Sequence, residues 1–155
     1  MQPAEFAARL RAVRSAAPLV QCITNFVTVN DCANMILAAG GSPTMAHDLR
    51  EVEESVAGVQ ALVLNLGAVG ELEAMLLAGK TANALGIPVV LDPVAAGATT
   101  LRRHAAACWR SLALPSSAAM LPRSAPWPWG SGAAAGWTYP PGTPLPNKRC
   151  PKRQS

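Results

Sequence analysis

The chain has 155 residues, a length that suits one domain, and half of them are apolar while 14% are charged, which allows a buried core. Aromatic residues are only 5%, so that core must be built from Ala, Val, Leu, Ile and Met. No apolar run approaches the ~20 residues needed to span a bilayer. Met1 to Arg14 mixes Glu5 with three arginines instead of forming an apolar leader, so no membrane partner is expected and the cytoplasm is the default compartment. The net charge of +4 conceals an asymmetry: residues up to Asp92 carry nine acids against five bases, and the remainder carries eight bases and no acid. An acidic domain is therefore followed by a basic tail. Cys22, Cys32, Cys108 and Cys150 show no C-x-x-C spacing and read as reduced thiols rather than a zinc or disulfide framework.

In chain order, residues 4–15 show helical spacing of apolar residues. Leu19 to Ile23 reads as a strand, and Thr24-Asn25-Phe26 as a turn. A second helix is predicted over about 29–39, stopped by Gly40-Gly41, since glycine takes the left-handed cap at little cost. Residues 42–46 are extended. A third helix is predicted from Leu49 to Gly58, solvent-facing and acidic, with Asp48 as its cap and Glu51 as the capping-box acid. Ala61 to Leu66 is a nearly continuous apolar run, the pattern of a parallel strand buried on both faces. Residues 67–70 form a loop, Glu71 to Leu85 a long helix ended by Gly86, and Ile87 to Leu91 another buried strand broken by Asp92-Pro93. Helices alternating with apolar strands predict parallel strands with covering helices. In such sheets ligands bind beyond the carboxyl ends of the strands, which singles out Thr24, Asn25, Met45, Asn65, Gly67 and Asp92.

The pattern breaks after about Thr100. No Ile follows Ile87, no Val follows Val94, and all four Trp and nine of the fourteen Pro lie beyond residue 100. A short helix is expected over about 101–113, and residues 114–155, interrupted by proline and without period, are expected to be disordered. The tail reads in three ways: a functional basic tail, a proline-rich recognition segment, or translation out of frame. The sharp change to Ala, Arg, Pro, Gly, Ser and Trp, placed where a fold still needs strands, favours the third.

Each candidate has a plain alternative. Asn25 can serve a turn, Met45 can fill core space, and His47, with no second histidine at ligand spacing, can be a hydrogen-bonded residue near a helix start. Gly67 to Gly70 could approach an anion, but it matches neither the dinucleotide fingerprint nor a Walker loop. Asp92, ending a strand before small residues, suits Mg²⁺, a hard cation; it equally suits the start of a turn before proline.

Taken together, the segments CITNFVTVNDCAN (22–34), AAGGSPTMAHDLREVEE (38–54), ALVLNLGAV (61–69), LLAGKTANALGIPVVLDPV (76–94) and GAT (97–99) resemble the hydroxyethylthiazole kinases of thiamine biosynthesis, over about residues 18–100. The resemblance implies the N-terminal portion of a ribokinase-like α/β layered fold with a mostly parallel sheet. It also implies homotrimers with sites between subunits. The reaction implied is phosphorylation of the hydroxyl of 4-methyl-5-(2-hydroxyethyl)thiazole by ATP with Mg²⁺. Met45 falls on the substrate-contacting methionine, Asn25 and Gly67 on pocket-lining positions, and Asp92 on the acid near magnesium and phosphates.

The chain departs from the family pattern at Ala95, where the family has glycine in DPVGAGAT. The family's Arg-Gly-Asn segment and its Gly-rich stretch ending in cysteine have no counterpart after residue 100, so no catalytic or nucleotide-binding residue is assigned. The expectation is a partial kinase domain over 1–100 with impaired activity. The alternatives are a non-catalytic thiazole-binding remnant and a nucleic-acid binder using the bases of 148–153, for which no recognised module is present. A dinucleotide oxidoreductase is disfavoured by the missing glycine fingerprint.

Overall fold

The computed structural model describes residues 2–109 and Leu112. The elements are α1 (Pro3–Ala16), β1 (Leu19–Ile23), α2 (Val29–Ala39), β2 (Ser42–Thr44), α3 (Val52–Ala57), β3 (Ala61–Asn65), a 3₁₀ turn (Leu66–Glu71), α4 (Leu72–Leu85), β4 (Val89–Asp92) and α5 (Thr100–Trp109). The strands form a four-stranded sheet in the order β2-β1-β3-β4, and every pairing is parallel. The expected alternation of helix and strand is therefore the architecture found.

The crossovers explain the layering. The chain steps from β1 outward to β2, then back past β1 to β3 and on to β4. Right-handed crossovers place α3 and α4 on one face and α2 on the other. Leu62, Leu64, Val89 and Leu91 point from β3 and β4 into one core with Val52 and Val56 of α3 and Met75, Leu76, Ala78 and Ala82 of α4. Gly40 closes α2 at φ 99°, the left-handed conformation expected of a glycine stop.

Four details differ from the sequence reading. The third helix starts at Val52 rather than Leu49, and Glu51 precedes it with no side-chain cap. Asp48 instead closes a tight local turn, with Oδ1 accepting from the Arg50 backbone N–H at 2.8 Å. Both Asp48 oxygens also accept from the Arg50 guanidinium, which holds the carboxyl well below the usual carboxylate range. A short-range bond to its own turn thus outcompetes the capping box. The helix is also not wholly solvent-facing, since Val52 and Val56 are fully buried.

Second, β3 and β4 are not buried on both faces. Leu62 and Leu64 are buried while Ala61, Val63 and Asn65 stay partly accessible, and Val90 is 43% exposed. Among the described residues the helices packed on β3 and β4 lie over the leucine face. Third, the folded unit passes residue 100. Ala105, Ala106, Cys108 and Trp109 of α5, together with Leu112, join the same core. The spread of Arg102, Arg103 and His104 through this helix masked its apolar face. The regions expected to be disordered (114–155) and basic (148–153) lie outside the described residues.

Fourth, the cysteines divide. Cys22 and Cys32 are free thiols as expected, whereas Cys108 is disulfide-bonded, contrary to the reading of all four as reduced.

Burial in β1, with a smaller contribution from neighbouring Cys32, pushes the Cys22 thiol up from 9.0 to about 11. The neutral thiol is the form the fold accepts. Below pH 9 it is neutral in both folded and unfolded chains, so Cys22 adds no pH dependence there. As pH rises from 9 towards 11 the unfolded chain ionises first, and stability falls. Urea midpoints are expected to drop over this range by less in Cys22→Ala than in the unmodified chain. Peptide-resolved alkylation at pH 8 is expected to label Cys32 well before Cys22.

Candidate functional site

All six strand-end residues singled out from the sequence lie along the carboxyl edge of the sheet. β2 ends just before Met45, β1 just before Thr24 and Asn25, β3 at Asn65, and β4 at Asp92. The strand order places them in the row Met45, Asn25, Asn65 with Gly67, Asp92. The direction of chain progress reverses between β1 and β3, which is the switch point where open α/β sheets bind ligands. Asn25 and Gly67 flank that point.

Register builds the right-hand half of the row. Asn65 pairs with Asp92 across β3 and β4, which brings both side chains to the same level. Asn65 Nδ2 donates to Asp92 Oδ2 at 2.6 Å, and Asn65 Oδ1 accepts the Gly67 N–H at 2.6 Å. Asp92 Oδ1 accepts the Val94 N–H at 3.1 Å. One amide thus orients the carboxylate and tightens the turn that carries Gly67. Glycine at 67 is a matter of space: a Cβ there would lie 2.5 Å from Asn65 Oδ1 and 2.9 Å from Asn25 Nδ2.

Asn25 holds its own loop. Its Oδ1 accepts from the backbone N–H groups of Val27 at 3.0 Å and Thr28 at 3.1 Å, and from Thr28 Oγ1 at 3.2 Å. Turn chemistry is therefore part of its role, and its Nδ2 faces Gly67. Thr24 is almost fully buried, and its hydroxyl meets Cys32 Sγ at 3.9 Å. The left-hand half is joined through aromatic contact. Phe26 and His47 pack edge to face with centroids 5.2 Å apart, and His47 Nδ1 lies 2.9 Å from the Met45 carbonyl oxygen. His47 thus shapes the Met45 segment. Among the described residues no group of three or more His, Cys, Asp or Glu could share a metal ion.

Two residues at this edge escaped the sequence reading. Gln21 is fully buried in β1 and bonds Ala46 and Ser55; a lone amide inside an apolar strand was the available signal. Arg102, in the first turn of α5, donates through Nη1 to the carbonyls of Leu66 at 2.6 Å and Val94 at 3.3 Å. It clamps the β3 and β4 loops together, and nothing in its local sequence marks it. The loop it clamps contains Ala95 at φ 54°, the left-handed region that favours glycine.

An open parallel α/β sheet whose carboxyl edge carries an amide-braced carboxylate and a half-buried methionine places the chain among the layered α/β proteins that take ligands beyond their strand ends. The hydroxyethylthiazole kinase family model matches residues 10–114, and the chain belongs to that family. It is 62% identical over 99 residues to the hydroxyethylthiazole kinase of Desulfovibrio desulfuricans, covering 63% of this chain and 35% of that one. It is 60% identical over 95 residues to that of Exiguobacterium sibiricum, covering 60% of this chain and 37% of that one. The solved hydroxyethylthiazole kinase protein from Pyrococcus horikoshii OT3 superposes with a TM-score of 0.65 at 44% identity, over 68% of this chain and 42% of that one. The chain spans little more than a third of the length of these curated relatives.

Two substitutions check the edge. Ala95→Gly is expected to stabilise the chain by about 1 kcal/mol, because the left-handed conformation costs a Cβ-bearing residue ~1–2 kcal/mol and glycine returns part of that as backbone entropy. Gly67→Ala is expected to destabilise by about 1–3 kcal/mol through overpacking. Urea unfolding of both variants reads these shifts directly.

Proposed function

We propose that the carboxyl edge of this sheet takes 4-methyl-5-(2-hydroxyethyl)thiazole, the alcohol that a hydroxyethylthiazole kinase phosphorylates, with ATP as phosphoryl donor. The observation that carries the reading is the row Met45, Asn25, Gly67, Asp92 along one sheet edge of a chain belonging to this family. Each residue has a fitting chemistry. Met45 is a half-buried thioether, polarizable and suited to a sulfur heteroaromatic ring. Asn25 and Gly67 line the switch point, where the missing side chain at 67 lets the Asn25 and Asn65 amides close against the backbone.

Asp92 would hold Mg²⁺. Each of its oxygens accepts one hydrogen bond and keeps a lone pair, so the carboxylate is oriented yet still able to bind a cation. One carboxylate suffices where phosphate oxygens and water complete the shell, as is usual for Mg²⁺. When bound, the ion neutralises charge developing on the transferred phosphoryl group. Asn65 keeps the carboxylate aimed outward from β4, and Arg102 holds the loops on either side of it. The same reading carries a homotrimeric assembly and a cytoplasmic location. No helix among the described residues is long and apolar enough to cross a membrane.

Phosphoryl transfer needs the γ-phosphate positioned and its charge neutralised. Among the described residues, Arg102 at this edge donates to carbonyl oxygens and Asp92 is a single carboxylate. Titration calorimetry of the 155-residue chain with the thiazole alcohol is expected to show saturable binding, weakened at least fivefold by Met45→Ala. ATP-dependent phosphorylation of the alcohol by the same chain is expected to be slow or absent. No binding at millimolar alcohol would overturn the reading; robust turnover would overturn the expectation of impaired activity.

A further inference from the structure

We propose that Gln21 is a positioning residue for the thiazole subsite, its buried amide holding the Met45 segment in place where the sheet no longer does. The inference rests on the functional reading above and adds to it a buried residue of β1, beside the Met45 segment.

The argument begins with β2, an edge strand of only three residues. Its register with β1 runs Leu19 to Ser42, Val20 to Pro43 and Gln21 to Thr44, and there it ends. Met45 follows directly, so no further rung of the ladder fixes it. Gln21 occupies the last rung on the β1 side, and its side chain supplies the next link: Nε2 donates to the Ala46 carbonyl at 2.8 Å. Its Oε1 accepts the Ser55 hydroxyl at 2.9 Å, which anchors the amide to α3. A carbonyl only accepts, so Ala46 dictates that Nε2 faces it and that Oε1 turns to Ser55. The amide orientation is thereby determined by its partners.

Gln21 is 0% exposed. An apolar side chain would fill this strand position without the desolvation that a buried amide incurs. With both ends satisfied, the amide instead spans β1, the Met45–Ala46 segment and α3. Among the described residues two further contacts restrain the segment: His47 Nδ1 meets the Met45 carbonyl oxygen within it, and the His47 ring packs on Phe26 of the loop after β1. Among the described residues, Gln21 is therefore the side chain that hydrogen-bonds the Met45–Ala46 segment to β1 and α3.

The test separates positioning from bulk stability. Gln21→Met keeps the length and volume of the side chain and removes the donor. Gln21→Leu removes both the donor to Ala46 and the acceptor for Ser55 at similar volume. Ser55→Ala frees one end of the amide but leaves the Ala46 link. Binding of 4-methyl-5-(2-hydroxyethyl)thiazole to each 155-residue chain would be measured by calorimetry. Circular dichroism would establish folding, and the methyl resonance of Met45 would report its environment. Both Gln21 variants are expected to weaken binding at least tenfold and shift the Met45 methyl resonance, while Ser55→Ala stays within about threefold of the unmodified chain. If one Gln21 variant fails to fold, the other carries the comparison. Folded Gln21 variants that bind as well as the unmodified chain would overturn the inference alone, as would Ser55→Ala weakening binding equally. Absence of binding by the unmodified chain would overturn the functional reading itself.

Discussion

The parallel pairing of β3 between β1 and β4 is the constraint on which the edge depends. β3 meets β1 from Val20 opposite Ala61 to Ile23 opposite Leu64, and meets β4 from Leu62 opposite Val89 to Asn65 opposite Asp92. Side chains alternate along a strand, so slipping either pairing by one residue would exchange the buried leucines with the accessible positions. Burial of Leu62 and Leu64 therefore fixes the register, and the register delivers Asn65 to Asp92. The polar bond at the edge follows from apolar packing one residue away.

From that bond the remaining geometry spreads sideways. The Asn65 amide reaches both Asp92 and Gly67, and the tight space at Gly67 brings Asn25 of the β1 loop against it. Arg102 then closes the β3 and β4 loops from above. On the other side Gln21 and the Phe26–His47 contact bring in the Met45 segment. Each link is a short-range polar or aromatic contact made by residues on or just beyond the strands and by Arg102 of α5. The sheet supplies their common platform, as expected where precise placement rests on rigid elements.

The loop after β4 holds a residue with a side chain in a conformation that favours glycine. Ala95 stands where the resemblance leads one to expect glycine, and it adopts a left-handed φ of 54°. The surrounding turn, with Ala96 N–H bonded to the Pro93 carbonyl and Ala98 N–H to the Ala95 carbonyl, holds it there. Local strain of this kind persists when neighbouring bonds over-determine the backbone. The sequence showed the substitution; only the dihedral angle showed why glycine belongs at the position.

Much of the fold was legible because apolar periodicity and glycine stops are local signals. The strand at Leu19–Ile23, the helix stopped at Gly40 and the long helix before Gly86 were all read from them. Misreadings arose where a local signal met a competing partner. Asp48 bonded its own turn instead of capping a helix at Leu49, and basic residues on α5 hid the face that buries Trp109. By itself the sequence determined the parallel α/β class, the family, and which residues stand at strand ends, since these follow from periodicity and motif order. Only the tertiary structure decided that Asn65 braces Asp92, that Gln21 reaches Ala46 and Ser55, and that Arg102 clamps two loops. Apart from Arg102 to Val94, eight positions apart, those contacts join residues 25 to 36 positions apart, and sheet register and crossover handedness bring such residues together.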